Sequence, residues 1–512
     1  MERSPFPIRP YIQREEKPSA VDFFRMKCYT LPYTNEAEKN SHRFTIPQAG
    51  PAGGVVALTA EENTKRAAKS GAEARERDSW NSKWGFIVSC IGSAVGMGNI
   101  WLFPTRVSAY GGGTFLLPYI LFVVIIGSTG VIGEMSFGRA ARSGPVDAFG
   151  KATGMRFGAE KPGKLLGLLP VLGSLALAIG YSVVVGWIFK YLAGSLDGSL
   201  MGLSSVEGFS SFFGDTSSSN VLWQVLGMAV TVGILAFGVG KGIEKANKVM
   251  MPLFFLLFIG LAVYLLFVPG SSAGYQYMFR LEPEGLLDPM VWVFALGQAF
   301  FSLSIAGNGT LVYGSYLSRK SDVPADARMV AVFDTCAAVL AALVILPAMA
   351  AAGETLDAGG PGLMFIYLPN VLREIPGGGV ILAVFFIAVA FAALTSLINL
   401  FEAPIATLQE FFHLRRPAAV AVIGLIGIVV GLLIAPIVSQ WMDVCSIYIC
   451  PLGALLAGVL FFWVCRKEYV LEQVNLSRKK PLGGWFYPMA KYVFCGVTLL
   501  VLILGSVLGS IG

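Results

Sequence analysis

Eleven apolar runs of about 20 residues or more dominate this chain, near 84–108, 114–136, 166–194, 221–239, 250–269, 288–317, 327–352, 377–409, 418–438, 445–465 and 487–511. A helix of that length crosses a hydrocarbon core of roughly 30 Å, and it satisfies its own backbone where no water can. Charge is scarce to match: 14% of residues are charged, against about 25% in a soluble domain, and the mean hydropathy is +0.67. The expected fold class is an all-α membrane protein with eleven transmembrane helices. The first 80 residues are polar, so no short signal peptide precedes the first run.

The remaining composition excludes whole classes of function. With only His42 and His413 as histidines, a histidine zinc site or a Ser-His-Asp triad in the membrane core is implausible. The seven cysteines show no paired metal-ligand spacing and read as small buried hydrophobes. No nucleophile–base set appears, so neither an enzyme nor an organic cofactor is expected. The net charge of +6 lies mostly in loops, which makes it a topology signal rather than a nucleic-acid footprint.

Those loops orient the chain. The loop after the second run carries Arg139, Arg142, Lys151, Arg156, Lys161 and Lys164, and that after the fourth carries Lys241, Lys245 and Lys248. Arg319 and Lys320, Arg415 and Arg416, and a cluster from Arg466 to Lys480 follow the sixth, eighth and tenth runs, whereas the stretch between Leu192 and Val221 has no Lys or Arg. Even-numbered connections should face the cytoplasm. That places the N-terminus inside and, with eleven spans, the C-terminus outside a plasma membrane (the inner membrane in a bacterium). Residues 1–79 read as a cytoplasmic tail too polar to build a core.

Two runs are interrupted. The first contains Gly92-Ser93-Ala94-Val95-Gly96-Met97-Gly98-Asn99, and the sixth contains Ser302-Leu303-Ser304-Ile305-Ala306-Gly307-Asn308-Gly309. Each glycine weakens a helix by about 1 kcal/mol. Matched interruptions at the start of two five-helix halves predict unwound helices around a midplane site; scattered membrane glycines otherwise serve close helix packing. The halves are 80–269 and 270–466, an inverted 5+5 repeat, followed by a loop and one extra helix in 467–512.

Residues 80–104, ending Gly-Ser-Ala-Val-Gly-Met-Gly-Asn-Ile-Trp-Leu-Phe-Pro, resemble the first-helix signature of neurotransmitter:sodium symporters. Tyr110-Gly-Gly-Gly-Thr-Phe-Leu-Leu-Pro-Tyr119, Gly133-Glu134, Gly180-Tyr181, Gly186-Trp187, Lys241-Gly-Ile-Glu-Lys245, Gln298-Ala-Phe-Phe-Ser-Leu-Ser304, Asp334-Thr335 and Leu394-Thr395-Ser396 continue the likeness in the family's order, over about 77–511. The resemblance implies symport of an amino acid with sodium by alternating access, resembling the bacterial leucine transporter. It implies two sodium sites: one from the Ala94 carbonyl, Asn99, Ser302, Asp334 and the substrate carboxylate, the other from the Gly92, Val95 and Ala392 carbonyls with the Thr395 and Ser396 hydroxyls. The substrate carboxylate would meet the Met97 and Gly98 amides and the Tyr181 hydroxyl; its ammonium would meet the Ala94, Phe301 and Ser302 carbonyls near Ser304. Side-chain specificity would come from Leu177, Tyr181, Phe301, Gly307, Ser396 and Leu400.

Gly96 stands where monoamine carriers of the family place an aspartate, so the ligand should bring its own carboxylate. At the chloride positions of the family this chain has Tyr119, Gln298, Ser302, Asp334 and Ala338. Ala338 lacks a hydroxyl and Asp334 supplies fixed charge, so no chloride requirement is expected. An acid within a helix costs about 2.5–3.5 kcal/mol on insertion scales, which marks Asp334 as functional. The matched inner gate is Arg77, Trp80, Tyr316 and Glu410. The usual outer-gate arginine is replaced by Leu102, leaving Arg106 and Asp443 either as a displaced gate or as interfacial charges. The alternative function is a transport-inactive amino-acid sensor signalling through the tail; a channel would need a repeated filter loop. The expected partners are the lipid bilayer and a small-molecule substrate.

Overall fold

The computed structural model describes residues 78–305, 308–353 and 360–509. All of its regular structure is helical. The first apolar run is not one helix. Helix α1 (Lys83–Ala94) starts on Ser82, whose hydroxyl accepts from the Gly85 amide, and it ends as Val95 turns to extended backbone. After the break, a wide turn at Gly98–Leu102 leads into α2 (Phe103–Ala109), and the two halves meet at 56°. Helix α3 (Gly113–Ile126) continues into α4 (Ile132–Ala141), followed by the short α5 (Pro145–Phe157) and the 36-residue α6 (Lys161–Leu196). Then come α7 (Val206–Ser218), α8 (Val221–Ala236), α9 (Glu244–Leu265) and α10 (Ser272–Phe279).

The sixth run is interrupted too. Helix α11 (Pro289–Ser302) is capped by the Asp288 carboxylate on the Met290 amide. The chain then leaves helical geometry, with Ser304 and Asn308 both at positive φ, and resumes as α12 (Gly309–Ser315). Such left-handed residues without a glycine cost about 1–3 kcal/mol each and persist only where surroundings enforce them. Helix α13 (Val323–Ala351), α14 (Leu368–Glu374), α15 (Gly378–Phe411), α16 (Arg416–Ile434), α17 (Val438–Val444), α18 (Cys450–Val459), α19 (Lys467–Asn475) and α20 (Cys495–Leu508) complete the order.

Among the described residues, seven helices are long and apolar enough to cross a membrane, or nine when two bent pairs are each taken as one span. Two details differ from the sequence expectation. The chain stays helical for 49 residues from Arg416 to Val464, where a loop was expected after the ninth run. At 1.5 Å per residue that is about 73 Å, more than twice a hydrocarbon core; a tight turn at Ala435–Ile437, carrying Pro436, divides it. The polar stretch before the fourth run folds as α7, bent 67° from α8. Ser205 accepts from the Gly208 amide there, an N-cap that hydropathy does not register.

The core is built around the two broken helices. α1 packs against α9, α13 and α15; α12 lies on α4, and α11 on α3. The α4–α12 seam is a backbone-to-backbone approach: a Cβ at Gly138 would overlap the Leu311 carbonyl, and one at Gly314 would lie 2.5 Å from the Met135 carbonyl. Small residues permit this in a bilayer, where association depends on close packing rather than on hydrophobic exclusion.

Candidate transport site

The two interruptions face each other. The Ser304 hydroxyl donates to the Ser93 carbonyl at 2.8 Å, joining the second break to the end of α1. A cavity between them is lined by Ser93, Ala94, Gly96 and Gly98 from the first break, Leu177 and Tyr181 from α6, Phe301, Ser302, Ser304 and Gly309 around the second, and Ser396, Asn399 and Leu400 from α15. The expected substrate residues Ala94, Gly98, Leu177, Tyr181, Phe301, Ser302, Ser304, Ser396 and Leu400 thus share one cavity wall. Met97 is buried behind it, its amide donating to the Tyr181 hydroxyl oxygen at 2.8 Å. Gly307 lies outside the described residues. A side chain at Gly96 would force its neighbours to move: a Cβ would sit 2.7 Å from both the Tyr181 hydroxyl and the Ser396 Oγ.

Beside the cavity is a fully buried carboxylate. Asp334 Oδ1 accepts from Asn99 Nδ2 at 2.8 Å and Oδ2 accepts from the Ser302 hydroxyl at 2.7 Å. Asn99 Nδ2 also approaches Ser302 Oγ at 3.1 Å and the Asp334 carbonyl at 3.2 Å, and Asn99 Oδ1 accepts from the Gly96 amide. The amide nitrogen therefore sits among three oxygens, one of them carrying formal charge. A cation surrounded by the same oxygens would replace those hydrogen bonds and neutralise a charge too costly to bury alone. Ala94, at the first break, lines the cavity together with Ser302.

A second set of oxygens lies where α15 crosses the end of α1. The Ser396 hydroxyl lies 3.0 Å from the Val95 carbonyl, 3.3 Å from that of Gly92 and 3.4 Å from that of Ser93. Thr395 Oγ1 donates to the Phe391 and Ala392 carbonyls, 3.0 Å each. These neutral hard oxygens suit an alkali cation, with hydroxyls that turn their lone pairs inward when one binds. The donor sets at both places fit an alkali cation such as sodium.

The chloride-related positions Tyr119, Gln298, Ser302, Asp334 and Ala338 are all buried near the first oxygen set; Gln298 Nε2 donates to the Gly98 carbonyl at 2.9 Å.

Contacts on the basic side tie Asp78 and Trp80, just before α1, to α12, α15 and α16. Trp80 donates from Nε1 to the Tyr313 carbonyl at 3.1 Å and packs edge-on against Phe86, Tyr313 and Tyr316. Glu410 accepts from the Gly144 amide at 2.9 Å; Arg77 lies outside the described residues. Tyr316 turns instead to Glu402, donating at 2.7 Å, and Arg416 grips the same buried carboxylate through two nitrogens at 2.9 and 2.7 Å while reaching Asp78 at 3.1 Å. The sequence reading missed Glu402 and counted Arg416 only as a loop charge. The signal was present: Glu402 is an acid inside the apolar run 377–409. Glu134, quoted only as part of a motif, accepts from Asn308 Nδ2 at 3.2 Å and from the Thr310 hydroxyl, tying α4 to the second break. On the opposite side the described residues show no ion pair between Arg106 and Asp443. The Arg106 guanidinium lies 4.0 Å over the Phe294 ring, and Asp443 makes no ion pair among the described residues.

The profile of the sodium:neurotransmitter symporter family matches residues 77–204 and 211–509. The sodium-dependent transporter YhdH of Bacillus subtilis, itself uncharacterised, is 33% identical over 84% of this chain and 98% of its own. The human sodium-dependent neutral amino acid transporter SLC6A17 is 28% identical over 58% of this chain and 43% of its own. The crystal structure of MhsT in complex with L-phenylalanine superposes with a TM-score of 0.74 at 32% identity, covering 84% of this chain and 99% of that one.

Proposed function

Because the chain belongs to the sodium:neurotransmitter symporter family, we propose that it carries an amino acid together with sodium across the plasma membrane by alternating access, without a chloride requirement. Sodium-coupled transport follows from the family. The observation that supports it most is the meeting of two unwound backbones beside a buried Asp334–Asn99–Ser302 cluster, with glycine at position 96. A ligand without its own carboxylate would leave the cation shell incomplete, since no acid can project from position 96. MhsT was solved with an amino acid bound, which favours the same class here.

In this reading the substrate carboxylate and Asp334 flank the first sodium, with Ala94, Asn99 and Ser302 completing its shell. Gly92, Val95, Ala392, Thr395 and Ser396 hold the second. Substrate ammonium takes the Ala94, Phe301 and Ser302 carbonyls. The Trp80–Tyr313 and Tyr316–Glu402–Arg416–Asp78 contacts seal the basic side, cytoplasmic in this orientation, until the second sodium leaves. The architecture is eleven spans, with repeats 80–269 and 270–466, a cytoplasmic N-terminus and an external C-terminus. Each charge entering down 100 mV contributes about 2.3 kcal/mol, so two sodium ions with a zwitterion support roughly thousandfold accumulation from the potential alone.

Uptake of radiolabelled amino acids into proteoliposomes tests this. The expected result is concentrative uptake with inward sodium, none with potassium, and no loss when gluconate replaces chloride. Saturable binding with no accumulation would instead favour the sensor. Uptake in sodium-free buffer driven by a pH gradient would overturn sodium coupling.

A further inference from the structure

Where α9 begins, at the basic end of the fold, three lysines recur at helical spacing. Lys241, Lys245 and Lys248 fall on one face of the turn Val239–Ile243 and α9. All three are exposed, and with Phe237, Gly240 and Glu244 they line an open cavity of 620 Å³. The face does not end there. It continues through Pro252, Leu256, Ile259 and Val263, every one of them exposed, as an apolar stripe along a membrane-crossing helix. Phe237, 73% exposed, flanks the cavity at the same level.

The charge in this cavity is cancelled from within only in part, three lysines facing one acid. Glu244 is the only acid lining it; that carboxylate pairs with Lys248 Nζ at 2.6 Å through Oε1, which also accepts from the Ser82 hydroxyl at 2.8 Å, while Oε2 accepts from the Asn81 amide at 2.6 Å. Among the described residues neither Lys241 nor Lys245 has a carboxylate within 4 Å. A cationic pocket that opens onto a lipid-facing stripe has the shape of a phospholipid: charge at the headgroup level, apolar surface below it.

We propose that Lys241, Lys245 and Lys248 form a headgroup site for an anionic phospholipid of the adjoining leaflet, its phosphate between the lysines and its acyl chains along Phe237, Leu256 and Ile259. A bound phosphate shares Lys248 with Glu244, and Glu244 holds Asn81 and Ser82 at the start of α1. The lipid thereby braces the N-terminus of the first broken helix. The inference needs the membrane orientation given above but not the substrate assignment, and its test reads binding rather than uptake.

The full chain, purified in a neutral detergent, is titrated with phosphatidylglycerol, phosphatidylcholine and soluble glycerol phosphate, with thermal midpoint and native mass spectrometry as readouts. Phosphatidylglycerol is expected to raise the midpoint and stay bound, phosphatidylcholine and glycerol phosphate to do neither. Anionic surfaces gain about fivefold in affinity per lysine, so K241Q/K245Q should weaken phosphatidylglycerol roughly 30-fold while K241R/K245R retains it. If the glutamine variant does not fold, the unmodified chain still decides: phosphatidylglycerol binding should weaken as potassium chloride is raised. Equal binding of phosphatidylglycerol and phosphatidylcholine, unaltered affinity in a folded K241Q/K245Q protein, or indifference to salt would overturn the site. Glycerol phosphate binding as tightly as the lipid would make the occupant a free phosphate ester and overturn the lipid assignment.

Discussion

Replacing Asp334 with asparagine keeps the shape of the first oxygen cluster and removes its only formal charge. In the structure that carboxylate is completely buried and touches Asn99 and Ser302 through separate oxygens. A sodium ion bound among these atoms would lie within about 4 Å of the charge, where a unit pair at an effective dielectric of 20 interacts by about 4 kcal/mol. Asparagine retains a carbonyl dipole, so the net loss is taken as about half to three quarters of that, 2–3 kcal/mol, or roughly 30- to 150-fold in sodium affinity. Sodium at 100 times its dissociation constant stabilises the native state by about 2.7 kcal/mol; after a hundredfold loss the same concentration gives about 0.4. A sodium titration of the thermal midpoint, repeated by uptake, reads this directly. The same vacancy of charge should make D334N uptake respond to chloride, since a mobile anion could then replace the fixed one. A sodium midpoint within about threefold of the unmodified chain, with no chloride response, would refute the reasoning.

Four other outcomes follow from the geometry. G96A places a methyl group 2.7 Å from Tyr181 and Ser396 oxygens, so uptake should fall below a tenth while the protein remains folded, as judged by size-exclusion and thermal midpoint. R416A leaves the buried Glu402 without its cation; breaking such a pair costs about 3–5 kcal/mol, and a double R416A/E402Q variant should recover much of the lost thermal midpoint. T395A/S396A removes both hydroxyls of the second oxygen set, and sodium activation of uptake should become less steep in a transport titration. Exchanging chloride for gluconate should leave the initial uptake rate of the unmodified chain unchanged, whereas D334N should be slowed.

Much of this site could be read from the sequence because its cause is local. Clustered glycines in an apolar run weaken a helix wherever the rest of the fold goes, and both interruptions stand where that weakness lies. An acid such as Asp334 in a long apolar run is conspicuous for the same reason. What could not be read depends on partners distant in the chain. Glu402 was as visible as Asp334 as an acid in an apolar run, but its pairing with Arg416 and Tyr316, and that of Arg416 with Asp78, exists only once α15, α16 and α12 are assembled. Position along two runs left Arg106 and Asp443 open between a displaced gate and interfacial charges; the packing of the guanidinium on Phe294 is a contact no spacing rule anticipates. The loop helices α5 and α7 escaped a reading based on hydropathy because they are partly polar, although Ser205 and Pro145 mark their starts.

The seam between α4 and α12 has a practical corollary. With no side chains at Gly138 and Gly314 to slide or repack, the two backbones are keyed together, and Glu134 clamps them again through Thr310. Spectroscopic labels placed on these two helices are expected to keep a constant separation during the alternating access proposed above, giving a built-in ruler for any movement of α1.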